Sequence, residues 1–460
     1  MSREIPRYAR DDTDPARPPR GPGPAVPATL SGLNAAQTSR GRLSAAVILL
    51  LCFVVSAAAL STGMVVGERD GTVVVDFCYV GSPADRAGLL AGDIISLIDS
   101  QPVAGMTVTE VEALLVGKKG AITIEYNRPP LDVQQTVEVV PEEPRSPKQL
   151  FPVPHGMLWG YIDETGQMFL PPMFEYADDF SQGLAAVLTE EGFGYIDMDG
   201  RFKVKPGFDH AAAFTDGMGR VLADSLYGFV DLEGGLVVQP QYDEALQFSS
   251  GMAAVAKDGK WGLIDRGGNL TVALRFRDAR SPSEGVAAVL QGGSWGFIDA
   301  RANWELLPQY EWVQSFRGGL ACVAERLGDD PRYGFVDKDG RFRVPAEYEA
   351  ATGFISEGLA AVKKDAKWGY VDQAGAVAVR FTYNAAADFS EGLAAVRTGE
   401  LWGYITKTGA VAIEPCFDQA DPFSNGLARV AIEDEVRYID KKGNSVWEEW
   451  GLPELEEPEK

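Results

Sequence analysis

The 460-residue chain has two histidines, His155 and His210, and four cysteines, Cys52, Cys78, Cys322 and Cys416. So few imidazoles leave little room for a multi-histidine metal site or a histidine base. The cysteines are far apart and form no Cys-x-x-Cys pair, so they read as small apolar core residues rather than bridges or metal ligands. Cations are also short, with 42 Lys and Arg against 66 Asp and Glu, a net charge of −24. Such a chain is a poor partner for a phosphate backbone, and no nucleic acid is expected among its ligands. There is no Gly-x-Ser-x-Gly elbow, no HExxH and no Walker loop. Asp197–Gly200 and Asp337–Gly340 faintly suggest calcium loops, but both lack the third acidic ligand and the distal glutamate. They read as β-turns. No catalytic residue, no metal and no cofactor is expected.

What the chain does have is unevenly placed. Residues 1–42 hold seven arginines against four acids and are rich in Pro and Gly, which reads as a disordered cytoplasmic tail. Leu43–Leu60 follows, eighteen residues without a charge. At about 1.5 Å per residue it spans about 27 Å, close to the hydrocarbon thickness of a bilayer. A transmembrane anchor is expected over 43–62. Arg40 and Arg42 on its N-terminal side would leave the N-terminus in the cytoplasm and the bulk of the chain outside. Ala57-Ala58-Ala59 would suit cleavage of a signal peptide, but 42 preceding residues are too many for one.

From Gly63 to Glu142 the pattern turns to short alternating runs. Thr72–Val80 and Ile94–Ile98 read as strands, as do Ala121–Tyr126 and Val133–Val140. Ser82 and Pro83 can open a short helix that Gly88 ends. Thr107 with Glu110 forms a capping box for an amphipathic helix over Val108–Val116. Gly81-Ser82-Pro83-Ala84, Ala87-Gly88-Leu89, Gly92-Asp93-Ile94-Ile95 and the helix ending in Gly117-Lys118-Lys119-Gly120 carry a resemblance to PDZ domains of the bacterial, carboxy-terminal-processing-protease type. That resemblance implies an α+β domain over 63–142 that takes a peptide C-terminus as an added strand. It places the carboxylate loop at Gly63, Met64, Val65, Val66 and Gly67, and the apolar helix face at Val111, Leu114 and Leu115. The Ser/Lys dyad domain that follows the PDZ in such proteases has no counterpart, since repeats occupy its place.

After a linker over 143–156, an aromatic-Gly pair recurs. It stands at Trp159-Gly160, Phe193-Gly194, Tyr227-Gly228, Trp261-Gly262, Trp295-Gly296, Tyr333-Gly334, Trp368-Gly369 and Trp402-Gly403, with spacings of 34, 34, 34, 34, 38, 35 and 34. A degenerate ninth copy stands 34 further on at Val436-Arg437-Tyr438-Ile439-Asp440. Each copy parses as a strand, an Asp-x-x-Gly turn, a second strand that often meets a proline, a crossover with aromatic-x5-Phe, and a third strand of Gly-Leu-Ala-Ala-Val type. Ala302 replaces the turn glycine, Thr406 the turn aspartate and Pro282 the crossover phenylalanine. The pattern resembles the bacterial WG (KWG) repeat family.

The fold expected is mainly β: an N-terminal transmembrane helix, a small α+β PDZ domain, then over 157–447 an all-β array of about eight 34-residue, three-stranded WG repeats. An open β superhelix is favoured over a propeller-like ring, and residues 448–460 form an acidic tail. The function expected is a membrane-anchored extracytoplasmic scaffold without catalysis, binding proteins or peptide C-termini of the cell envelope through the PDZ groove and the array surface. A non-catalytic adaptor or regulator of an envelope protease is the alternative, and glycan binding by exposed aromatics a third reading.

Overall fold

The computed structural model describes residue 62 and residues 64–448, apart from 70, 79–82, 117, 119, 130–132, 142–146, 328–329, 355–356 and 434. The anchor expected over 43–62 and the loop residue Gly63 therefore lie outside the described residues, except Thr62. Among the described residues no helix is long and apolar enough to cross a membrane. The chain divides into two compact units, with the boundary between Ala213 and Phe214.

The first unit opens with the PDZ-like domain. Its strands are β1 (Met64–Arg69), β2 (Thr72–Cys78), β3 (Ile94–Ile98), β4 (Gln101–Pro102), β5 (Ile122–Asn127) and β6 (Gln134–Val139). The sheet order is β1-β2-β3-β5-β6, with β4 on β3. Two helices are added, α1 (Pro83–Arg86) and α2 (Val108–Leu115). The capping box forms as expected: Glu110 accepts the Thr107 N–H at 2.8 Å, and Thr107 Oγ1 accepts the Glu110 N–H at 3.3 Å. Val111 and Leu115 pack into one core with Met64, Val66, Ile95, Ile98 and Ile124.

The segment read as a linker contributes a strand. β7 (Leu150–His155) pairs antiparallel with β8 (Leu158–Asp163), which pairs with β9 (Met168–Phe174). The reason is register: Leu-Phe-Pro-Val takes the place that Leu-Ala-Ala-Val fills in later copies. His155 is the exposed last residue of β7, not a linker residue.

Copies and sheets are out of phase. The next sheet has the order β10 (Tyr176–Ala177), β11 (Leu184–Thr189), β12 (Gly192–Asp197) and β13 (Phe202–Phe208). The Leu-Ala-Ala-Val strand of one copy thus pairs with the aromatic-Gly strand of the following copy. A two-residue strand from the crossover joins them, so these sheets have four strands and not the three expected. In the second unit the same arrangement is built six times, from Glu244–Ala245 to Ser445–Glu448.

The motif glycine has a steric cause. A Cβ on Gly160 would stand 2.6 Å from the Leu170 carbonyl oxygen, and one on Gly403 2.6 Å from that of Ile413. The partner strand bulges at this point. Trp402 faces Phe417, but Tyr404 faces Ile413, so the bulge carries Pro415 directly over the glycine. Proline suits a bulge, which needs no ladder donor there.

The residue after the glycine stitches sheet to sheet. Tyr370 is fully buried, and its hydroxyl donates to the Ala387 carbonyl at 2.6 Å, in the crossover leading to the next sheet. Tyr404 donates likewise to Asp421 at 2.7 Å. The crossover phenylalanine packs on the same ring: Phe389 lies 4.8 Å from Tyr370, and Phe423 4.8 Å from Tyr404. Each turn aspartate folds back on its own turn, as Asp197 Oδ1 does in accepting the Asp199 and Arg201 amides at 3.1 and 2.9 Å. Ala302 adopts φ 63, the left-handed region its glycine counterparts occupy.

Candidate peptide-binding groove and array surface

Among the described residues β1 pairs only with β2, so its other edge is an open ladder beside α2. The site residues expected from the sequence divide sharply there. Met64–Gly67 belong to strand β1 rather than to a loop. Met64 and Val66 point into the core, as do Val111 and Leu115, while Val65 and Leu114 are half-buried. The first four hold the groove's walls in place. A ligand would meet the β1 backbone, Val65 and the flanks of α2. The period of the helix explains the difference: its most apolar stripe faces the sheet, and the groove borders that stripe.

One pair was not legible in the sequence: Asp93, which the motif carries, and Arg128, which it does not. Asp93, 1% exposed, receives Arg128 in a fork, Nε to Oδ1 and Nη2 to Oδ2, both at 2.7 Å. Asp93 also accepts the Leu90 N–H at 2.8 Å, and Arg128 donates to the Gly88 carbonyl. The hydrogen bond to Asp93 raises the Arg128 pKa above its ordinary value. The Gly-Asp of the motif thus closes the α1–β3 turn. On the helix C-terminal side, Lys118 pairs with Asp99, whose carboxyl that contact and the Thr123 amide hold below the usual range.

The array offers a different surface. Trp261, Trp295, Trp368 and Trp402 are buried, so they form no ring platform for a sugar. Instead Leu236, Leu270, Phe342, Val377 and Val411 are exposed. Each stands two residues after a turn glycine, at the start of a sheet's outer strand. That spacing was legible in the sequence as an apolar residue following the turn in each of the eight full copies, with Ser445 in the degenerate ninth. Among the described residues no group of His, Cys, Asp and Glu is arranged to hold a metal ion. Cys322 and Cys416 are free thiols. Burial pushes the Cys322 thiol pKa far up.

An open-edged α+β sheet beside a helix, followed by stacked four-stranded sheets, defines a repeat protein of the binding or scaffold class. Eight stretches, 159–191, 193–226, 227–261, 261–295, 295–325, 333–368, 368–402 and 402–435, match the WG containing repeat, and residues 78–125 match the PDZ domain. The repeats take in more than half of the sequence, and the chain belongs to the WG repeat family. It is 39% identical over 75 residues to the carboxy-terminal processing protease CtpA of Bacillus subtilis (strain 168), a match that spans 16% of either protein. Among solved structures, a photosystem II D1 C-terminal processing protease shows 22% identity with a TM-score of 0.19, covering 22% of this chain and 28% of that one. A quinonprotein alcohol dehydrogenase-like protein from Bacteroides thetaiotaomicron VPI-5482 shows 9% identity and a TM-score of 0.29, over 78% of this chain and 88% of that one. The likenesses to these two solved structures carry no functional argument.

Proposed function

We propose that this protein is a membrane-anchored extracytoplasmic scaffold whose PDZ groove takes the C-terminal tails of envelope proteins as an added strand, without catalysis. The open edge of β1 beside α2 carries this reading. An extended peptide completes such an edge with main-chain hydrogen bonds and is selected by the helix flank. The uncharged run Leu43–Leu60 and its preceding arginines support the anchor and the orientation. The exposed apolar residues of the outer strands give the array a second contact surface. Crosslinking and affinity capture from intact cells tests the function. The full chain should recover envelope proteins that a version lacking 63–142 loses, and equal recovery by both removes the groove from the account. Cys416, an exposed free thiol, tests the placement. A membrane-impermeant maleimide should label it in intact cells; labelling only after lysis overturns the orientation.

The second reading, a non-catalytic adaptor of an envelope protease, is favoured by a likeness to a processing protease that extends over 75 residues, 16% of this chain. Co-purification of a protease with the full chain supports it. Recovery of tail-bearing proteins without any protease favours the first reading.

A further inference from the structure

The β1–α2 groove has one strand wall and one helix wall, and most charges near it are already spent. Glu110 serves the capping box, accepting from the Thr107 N–H and Oγ1. Lys118 is paired with Asp99. Among the described residues two carboxylates are left. Glu112, half-buried on α2, and Glu68, exposed on β1, make no side-chain hydrogen bond or ion pair among the described residues. Glu112 stands four residues after Val108, so the two lie on one ridge of the helix, and Val116, four residues further on, is the C-cap just past its end. Val108 packs against the core at one end, and Val116 is 43% exposed at the other. A half-buried carboxylate has lost part of its water without gaining a partner among the described residues, and β1 carries no cation except Arg69, which has an interaction of its own.

We infer that the groove is specific for tails that carry a lysine or arginine in the segment lying along α2, with Glu112 as the residue that reads it. This rests on the peptide-binding reading above. The ligand's cation supplies the partner that Glu112 lacks, and its apolar side chains lie over Val108 and Val116. Acidic tails are rejected by Glu112 and Glu68 together.

The test uses the full-length protein and fluorescent peptides with a free carboxyl end, identical except for Lys, Gln or Glu at one upstream position. Each peptide is also made with an amidated end. The wild type should bind the Lys peptide about tenfold tighter than the Glu peptide at low salt. Glu112→Gln should reduce that ratio to about threefold, and Glu112→Lys should invert it. Melting of each variant reports that the fold is intact. Equal binding of Lys and Glu peptides by the wild type overturns the inference, as does a preference that survives Glu112→Lys. Failure of the underlying reading looks different, because amidated and free ends then bind alike or no tail binds.

Discussion

Glu391 reaches across a sheet junction to two groups of the next sheet: its carboxylate accepts the Gly426 N–H at 3.0 Å and lies 3.0 Å from the Lys441 ammonium. Glu357 does the same with Gly392 at 3.0 Å and Lys407 at 2.9 Å, and Glu284 with Gly319 at 3.1 Å and Lys338 at 3.9 Å. Asp216 binds the Gly251 amide and Arg266. Asp216, Glu284 and Glu391 adopt φ of 54, 52 and 53, left-handed values that side chains other than glycine seldom take. The clamp offsets that strain. Gln182, Ser250, Gly318 and Asn425 occupy the same place in their copies and bring no carboxylate.

Removing one clamp should loosen one junction. Glu391→Ala is expected to cost about 1 kcal/mol, since the group is partly exposed and the ion pair screened. Urea unfolding measures it, and the loss should shrink at high salt. A loss unchanged by salt would mean that the amide contact acts alone.

The clamps carry a pH dependence. Burial pushes the Glu357 carboxyl up, but the Gly392 amide and Lys407 outweigh it and hold the pKa below its ordinary value. A depressed folded pKa gives stability that is complete above the unfolded value of about 4.3 and is lost as pH falls through the folded one. Thermal melting from pH 7 to pH 3 should show a steeper acid loss in the wild type than in Glu357→Gln.

Asp388 has the opposite sign. Burial raises its pKa, against a hydrogen bond from Thr352 and the attraction of Arg317, and its Oδ1 has no hydrogen-bond partner among the described residues. The folded state holds this proton more tightly than the unfolded one. Its contribution is therefore greatest below about pH 3.9 and is lost as pH rises through the folded value. Asp388→Asn should raise the melting temperature at pH 7 by a few degrees and leave it nearly unchanged at pH 3. Equal gains at both pH values would contradict this.

Two glycines should differ in a way that separates steric clash from backbone strain. Gly403→Ala drives a Cβ against the Ile413 carbonyl and Pro415, for an expected loss of about 3 kcal/mol. Gly392→Ala meets nothing within 4 Å but sits at φ 88, for a loss of about 1 kcal/mol. Denaturant midpoints of the two variants decide the order.

Much of the PDZ-like domain was legible because each signal is local: the Thr107–Glu110 capping box and the β-branched run of β2 need only their neighbours. The groove was harder to read. Val111 and Leu115 form the apolar stripe, and apolarity alone does not distinguish a wall residue from a core residue. Asp93 and Arg128 are 35 positions apart, with no pattern joining them before the sheet is folded.

The sequence by itself determined the repeat, its period, the turn chemistry and the aromatic-Gly motif, because those are matters of order along one chain. Which strands share a sheet was decided only in three dimensions. The Leu-Ala-Ala-Val strand follows its own copy's second strand in sequence, yet the short turn after it closes a hairpin with the next copy, and hydrogen bonding follows the hairpin. The same holds for Glu391. Its acidity is written in the sequence, but its two partners lie 35 and 50 residues away and become neighbours only when the sheets stack.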